Sequence, residues 1–129
     1  MKLDLNCVRD ILFLCEKSLG LNDDLSWKCL RLSDFDKQIT KYSKETIAYT
    51  LVLLHEADYI NCNVIESDDR LINIYVNRLT YVGHEFIETI RPDSVWEKII
   101  SSITAIGSAS LPVIQSLGSG FLLEALTHL

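Results

Sequence analysis

The chain has 129 residues, enough to bury one hydrophobic core but hardly two, so we expect a single domain with one function. Hydrophobic residues make up 48% of the chain and charged residues 23%, which excludes a disordered or collagen-like protein. The formal net charge of -6 argues against a general nucleic-acid binder, because neutralising phosphates requires a basic surface.

The four cysteines indicate a reducing environment. Cys7, Cys15, Cys29 and Cys62 are widely and unequally spaced, with no CxxC pair and no zinc-site spacing. Three of them fall on apolar faces of predicted elements, so we expect buried free thiols, with structural disulfides as the alternative. The first ten residues carry acids and no long apolar run. No secretory signal is predicted, and a cytoplasmic location is expected.

The N-terminal segment predicts one helix and one short strand. Apolar residues recur at helical spacing over about residues 5–19, with Asp4 available as the N-cap and Gly20 as a stop. A turn at residues 22–24 follows. Three apolar residues then alternate with polar ones and predict the strand: Leu25, Trp27 and Cys29.

Two serines ten positions apart predict two consecutive helices. Ser33 is the predicted N-cap of a short helix with Phe35 and Ile39 on one face, and Ser43 is that of a longer helix. The apolar positions of the longer helix are Ile47, Leu51 and Leu54. A short helix, a tight connection and a longer helix form the helix-turn-helix pattern, in which the second helix presents its outer face.

Two runs of alternating polarity follow, and the fold prediction depends on them. Their apolar positions are Ile60, Cys62 and Val64 in the first run and Ile72, Ile74 and Val76 in the second. Residues 67–70 between them form a turn cluster, so the runs predict an antiparallel hairpin with one polar and one buried face. A hairpin directly after a helix-turn-helix is a wing.

Three further helices are predicted after the hairpin. Thr80 caps the first, which Pro92 interrupts, and Gly107 ends the second. Ser110 caps the third. The predicted inward-facing residues are Val82, Phe86 and Ile90, then Val95, Ile99, Ile103 and Ile106, then Ile114, Leu117, Phe121 and Leu122.

The last two of these helices contain a long uncharged stretch, residues 99–123, which is sufficient in length to span a bilayer. Polar residues dilute the stretch and Gly107 and Pro112 break it, so no membrane span is expected. A helical hairpin this apolar must pack on the core or on a second copy. We favour a homodimer, with packing inside the chain as the alternative. The candidate dimer residues are Ile114, Leu117, Phe121 and Leu122.

Together these elements predict an α+β, mostly helical fold, namely a winged helix-turn-helix with a β-hairpin wing and additional C-terminal helices. One domain covers residues 1–129. Within it, the winged-helix core occupies residues 1–91, and the C-terminal helical extension, the dimerisation element, occupies residues 92–129.

Three segments carry a resemblance to a known family: KLDLNCVRDIL, ETIAYTLVLLHEADYI and RLTYVGHEFIETIRPDSVW. The chain resembles, nearly end to end, a family of uncharacterised bacterial and phage-encoded proteins described as a domain of unknown function. The resemblance implies a winged-helix core and implies no activity. The sequence departs from the expected pattern at Asp58. In the family and in winged helices generally, Gly tends to end the second helix of the helix-turn-helix, which is the recognition helix. Since Asp tolerates the left-handed backbone conformation, we expect the turn to form.

Two functions compete at the predicted helix-turn-helix and wing. The first is a DNA-binding regulator that is phage- or prophage-related. It is favoured because proteins with a winged helix-turn-helix commonly bind DNA. Its candidate contacts with double-stranded DNA are Lys41, Lys44, Tyr49, Thr50 and Arg70. The second is a protein-interaction module without DNA binding. Residues 33–80 contain five Lys or Arg and eight Asp or Glu, which favours this second function.

No catalytic, metal or cofactor site is predicted. His55 and His84 each precede a Glu but lack the second histidine of a zinc-protease helix. The glycines Gly118 and Gly120 have neither the preceding strand nor the lysine of a phosphate-binding loop. We therefore expect no enzyme activity.

Overall fold

The computed structural model describes residues 1–129 and has an α+β fold, mainly helical, as predicted. Six helices and three strands follow one another as α1 (Leu5–Ser18), β1 (Leu30–Arg31), α2 (Leu32–Gln38), α3 (Lys44–Glu56), β2 (Ile60–Ser67), β3 (Arg70–Leu79), α4 (Tyr81–Ile90), α5 (Asp93–Ile106) and α6 (Leu111–Thr127). The chain forms two compact units, Met1–His84 and Glu85–Leu129, and the boundary between them falls inside α4. The prediction of one domain over residues 1–129 stays a prediction.

Helix α1 forms as its polar and apolar pattern predicts. The Asp4 carboxylate accepts a hydrogen bond from the backbone N–H of Cys7 at 3.1 Å, which confirms Asp4 as the N-cap. The helix ends at Ser18, two residues before Gly20, whose φ of 136° few other residues adopt. One face is buried through Cys7, Val8, Ile11, Leu12, Leu14 and Cys15.

The strand predicted at Leu25, Trp27 and Cys29 is wrong. The Asp24 carboxylate accepts hydrogen bonds from both the backbone N–H and the hydroxyl of Ser26, and this closes a local turn. All three apolar side chains are exposed, and the backbone pairing of Trp27 is limited to an isolated bridge with Leu21. Strand β1 starts at Leu30 instead, because backbone pairing with β3 begins there, with Leu30 opposite Val76.

Helices α2 and α3 confirm the predicted helix pair, although one of the two caps is wrong. Helix α2 begins at Leu32, before Ser33, and the Asp34 carboxylate accepts a hydrogen bond from the Arg31 N–H at 2.7 Å. The Ser43 hydroxyl accepts one from the Thr46 N–H at 3.2 Å, so the cap of α3 is confirmed. The predicted inward residues of both helices are buried: Phe35, Ile39, Ile47, Leu51 and Leu54.

The chain leaves α3 through a left-handed residue, as expected. Asp58 has a φ of 64°, its N–H donates to the His55 carbonyl at 3.0 Å, and the Tyr59 N–H donates to the Leu54 carbonyl at 2.9 Å. The Asp58 carbonyl in turn accepts a hydrogen bond from the Thr80 hydroxyl. Asp therefore occupies a position that usually favours Gly, and the turn into β2 is preserved.

Strands β2 and β3 form the predicted antiparallel hairpin, with register from Ile60 opposite Leu79 to Ser67 opposite Arg70. Asp68 and Asp69, the two turn residues, both have positive φ, which matches the right-handed twist of the strands. Strand β1 pairs with the other side of β3, so the sheet order is β1-β3-β2. The predicted buried positions Ile60, Cys62, Ile74 and Val76 are confirmed.

Ile72 is the one hairpin position for which the predicted burial is clearly wrong, since 57% of its surface is exposed. It lies two residues beyond the start of β3, at the end of the hairpin that includes the turn. The register of the hairpin shifts here, because Ile65 lies opposite Asn73 and Glu66 lies opposite Leu71. Ile72 therefore has no partner on β2, and the alternation that buries Ile74 and Val76 is interrupted at this residue.

The second unit contains most of α4 and all of α5 and α6. The Thr80 hydroxyl accepts a hydrogen bond from the Gly83 N–H at 3.1 Å, and Gly107, with a φ of 110°, ends α5, so both predicted helix ends are confirmed. Val82 and Ile106 were expected to face inward and are exposed, because each lies at the end of its helix, where fewer neighbours cover it. The confirmed inward residues are Phe86, Ile90, Val95, Ile99 and Ile103.

Candidate interaction surface

The outer face of α3 carries few charges. Lys44 and Glu45 are exposed in its first turn, and Tyr49 is partly exposed one turn later. Thr50 is only 1% exposed, and its hydroxyl donates to the Thr46 carbonyl at 2.7 Å. The expectation that Thr50 lies at the outer face is therefore wrong, since it shares a helix side with the buried residues Ile47 and Leu54.

Lys41 lies just before α3 with an exposed side chain, but its charge has a partner. Its ammonium nitrogen is 3.9 Å from the carboxylate of Asp10, which also accepts a hydrogen bond from the Tyr42 hydroxyl at 2.8 Å. Burial of the Tyr42 ring, and then the hydrogen bond to Asp10, raise the pKa of Tyr42 above its ordinary value. Contact between Lys41 and a phosphate would therefore compete with Asp10.

The end of the hairpin, residues 65–72, combines exposed apolar side chains with acids, and we call it the hairpin tip. Ile65, Leu71 and Ile72 are all exposed there. Arg70, the predicted DNA contact, is exposed opposite Ser67. The acids around it are Glu66, Asp68 and Asp69, all exposed. The alternating pattern of the strands gave no signal for these exposed apolar residues.

A groove of about 450 Å³ lies between α3 and β2, and we call it the α3–β2 groove. It is lined by Val52, His55, Glu56, Cys62, Asn63, Val64, Ile65 and Glu66. Two carboxylates and no Lys or Arg belong to this lining. The Nδ1 atom of His55 is buried without a hydrogen-bond partner. Sequence reasoning missed the groove, because it forms only where the end of α3 lies beside β2.

The dimer candidates of α6 differ in how accessible they are. Ile114 is fully buried, whereas Leu117, Phe121 and Leu122 are half-buried. The Lys98 ammonium lies 5.7 Å from the centre of the Phe121 ring. The large apolar side chains that α6 exposes are different ones: Val113, Leu123 and Leu126.

Two further properties concern the whole chain. No group of three or more His, Cys, Asp or Glu side chains is placed to hold a metal ion. None of the helices combines the length and the apolar character that crossing a membrane would require.

These elements define an α+β protein whose β2–β3 hairpin and adjoining helix α3 offer an apolar and acidic surface. The chain belongs to the family described as "Hypothetical protein (DUF2513)", whose model matches residues 2–110. The predicted resemblance to a domain of unknown function is thereby confirmed. The matched residues contain α1 to α5, and α6 lies outside them. No curated protein and no solved structure matches the chain.

Proposed function

We propose that the first unit is a winged helix-turn-helix, in which α2 and α3 are the helix pair and the β2–β3 hairpin is the wing. Three observations support this assignment. The elements follow the order helix, strand, helix, helix, strand, strand. The short strand β1 pairs with β3 rather than with β2. The hairpin turn has only two residues between its strands.

We further propose that the protein is a non-enzymatic protein-interaction module, and that its partner surface is formed by the outer face of α3 and the hairpin tip. The observation that carries this proposal is the exposure of Ile65, Leu71 and Ile72 among acids. Exposed apolar side chains gathered in one region mark protein-binding surfaces, and these three lie within eight residues of one another at one end of the hairpin. The acids of the tip would repel phosphate, which is the group that a wing on DNA must approach.

A DNA-binding regulator, phage-related as the resemblance suggests, is the second candidate. Lys44 and Tyr49 favour it, because both reach the surface of α3. The candidate contacts include three cations, Lys41, Lys44 and Arg70, so we expect the logarithm of the affinity to fall with the logarithm of salt with a slope no steeper than about -3.

The two functions differ in what the protein binds. We expect a phage-displayed library of random 12-residue peptides to yield binders, because an exposed apolar surface gains free energy when a peptide covers it. The selected peptides should lose binding by about tenfold or more when Ile72 is changed to Lys, since that charge would be desolvated in the complex. The measurement is fluorescence anisotropy of labelled peptides.

Leu25→Lys is the matched control, because Leu25 is an exposed apolar residue outside the proposed surface. The same assay with mixed-sequence duplex DNA at low salt should stay flat. Salt-dependent DNA binding that Lys44→Glu abolishes, with no peptide selected, would replace the interaction module by the DNA-binding regulator.

We also propose that the second unit forms a homodimer through the exposed side of α6. Because Ile114 is buried, the proposed contact residues are the exposed Val113, Leu123 and Leu126. Light scattering should give a mass of about twice 14.7 kDa. Leu123→Glu with Leu126→Glu should restore the monomer mass, because the dimer would have to bury the new carboxylates. Leu25→Glu is the control, and a mass near 14.7 kDa for the natural chain at all concentrations would refute the dimer.

A further inference from the structure

Strand β2 is an edge of the sheet, and its outer side has no partner. The sheet order is β1-β3-β2, and no backbone hydrogen bond joins residues 61–67 to any element other than β3. In an antiparallel edge strand, alternate N–H and C=O groups point away from the sheet. Strand β2 therefore presents a row of unpaired backbone donors and acceptors over most of its eight residues.

The α3–β2 groove contains this free edge. Residues 62–66 of β2 line it together with Val52, His55 and Glu56 from α3. Its volume of about 450 Å³ is within the range of about 300–1,000 Å³ that is usual for ligand sites. An added strand lies about 4.8 Å from its neighbour, so a peptide paired with β2 would place alternate side chains in the groove.

The residues that line the groove indicate which kind of peptide would bind there. Val52, Val64 and Ile65 supply apolar contacts, and Glu56 and Glu66 are the carboxylates, with no Lys or Arg to balance them. Both carboxylates belong to exposed residues. An extended segment in which apolar residues alternate with Lys or Arg matches all of these groups.

We propose that the α3–β2 groove binds an extended basic segment of a partner protein, which pairs with β2 as a fourth strand of the sheet. This inference rests on the proposed function, since it names the chemistry of the partner of an interaction module. Backbone hydrogen bonds to the β2 edge supply affinity, whereas the apolar contacts and the two carboxylates select the sequence.

The first test uses a fluorescein-labelled heptapeptide, Lys-Val-Lys-Val-Lys-Val-Lys, and two versions of it with N-methyl groups on the backbone nitrogens. One version is methylated at the valines and the other at the inner lysines. Only alternate N–H groups of an added strand face its neighbour. We therefore expect one methylated peptide to lose affinity by about tenfold or more, and the other to bind like the parent.

The second test exchanges charge on the protein. Glu56→Lys and Glu66→Lys should each weaken binding of the parent peptide by about tenfold or more, because each replaces attraction by repulsion at the groove. Asp23→Lys makes the same charge change at an exposed acid outside the groove and should leave the affinity nearly unchanged.

Equal losses in all three charge variants, or equal behaviour of the two methylated peptides, would overturn the assignment of the groove. Failure of the heptapeptide to bind would do the same. If the random library still yields peptides that depend on Ile72, only this inference fails. If the library yields none, the proposed function fails with it.

Discussion

Gly83→Ala should lower the free energy of unfolding by about 3 kcal/mol, which is the upper part of the range for overpacked positions. A Cβ atom at residue 83 would overlap the carbonyl oxygen of Tyr59 and would also crowd the Leu79 side chain. The Tyr59 carbonyl cannot move freely, since it accepts a hydrogen bond from the Thr80 N–H at 3.2 Å. The start of α4 would have to shift away from Tyr59.

Urea unfolding followed by circular dichroism measures this effect, and Gly120→Ala is the matched control. Nothing lies within 4 Å of a Cβ atom at residue 120, which is an exposed position inside α6. Alanine should therefore raise stability there by about 0.5–1 kcal/mol through its better helix propensity. The same substitution thus has opposite signs at the two glycines. An unchanged midpoint for Gly83→Ala would contradict the close approach between the start of α4 and Tyr59.

Only one of the four cysteines should react rapidly with Ellman's reagent in the folded protein. Cys29 is exposed, whereas Cys7, Cys15 and Cys62 are buried, and all four are free thiols, as predicted. The sequence pattern had placed Cys29 on an apolar face, which is wrong. Burial raises the pKa of Cys15 to about 12 and the pKa values of Cys7 and Cys62 to about 11.

The thiolate is the reactive form of cysteine, so a pKa two units higher lowers the reactive fraction at pH 8 by about 100-fold. We expect one equivalent of thionitrobenzoate per chain to be released quickly, and three more equivalents only after denaturant is added. Cys29→Ser should remove the fast phase and leave the slow one. A second fast thiol in the folded protein would contradict the burial of the other three.

The same shifts have a consequence for stability at high pH. The pKa values of the buried thiols are raised on folding, so the unfolded chain releases their protons first, from about pH 9.0, while the folded protein retains them. The contribution of the three buried thiols to the free energy of unfolding is complete below pH 9.0, and it is lost as the pH rises towards 11 and 12. Urea midpoints measured from pH 8 upwards should therefore fall.

Local signals in the sequence predicted most of the secondary structure because they act over a few residues. Asp4, Ser43 and Thr80 each precede a helix and each accepts a hydrogen bond from its first turn. The alternation of apolar and polar residues over 60–79 predicted the hairpin, since a polarity pattern with a period of two is typical of β-strands. The same reasoning failed for Leu25, Trp27 and Cys29, where alternation occurs without a neighbouring strand.

The burial of four further residues was predicted wrongly. Thr50 was expected outside and is buried, while Ile72, Val82 and Ile106 were expected inside and are exposed. Thr50 is polar but lies on the buried face of α3, and Ile72 lies at a β-bulge. Val82 and Ile106 lie at helix ends, where a neighbouring element covers less of the apolar face. The three charged residues among the five DNA-contact candidates, Lys41, Lys44 and Arg70, could be chosen by charge, but charge alone outlines only part of a binding surface.

Local side-chain chemistry was sufficient to predict the helix caps at Asp4, Ser43 and Thr80, the hairpin and the left-handed exit from α3, because each depends on residues within a few positions of one another. The tertiary structure alone decided that β2 has a free edge beside α3, that the hairpin tip is uncovered and that Lys41 is paired with Asp10. Those properties arise between residues far apart in the chain, and their energies depend on distances that no local pattern contains.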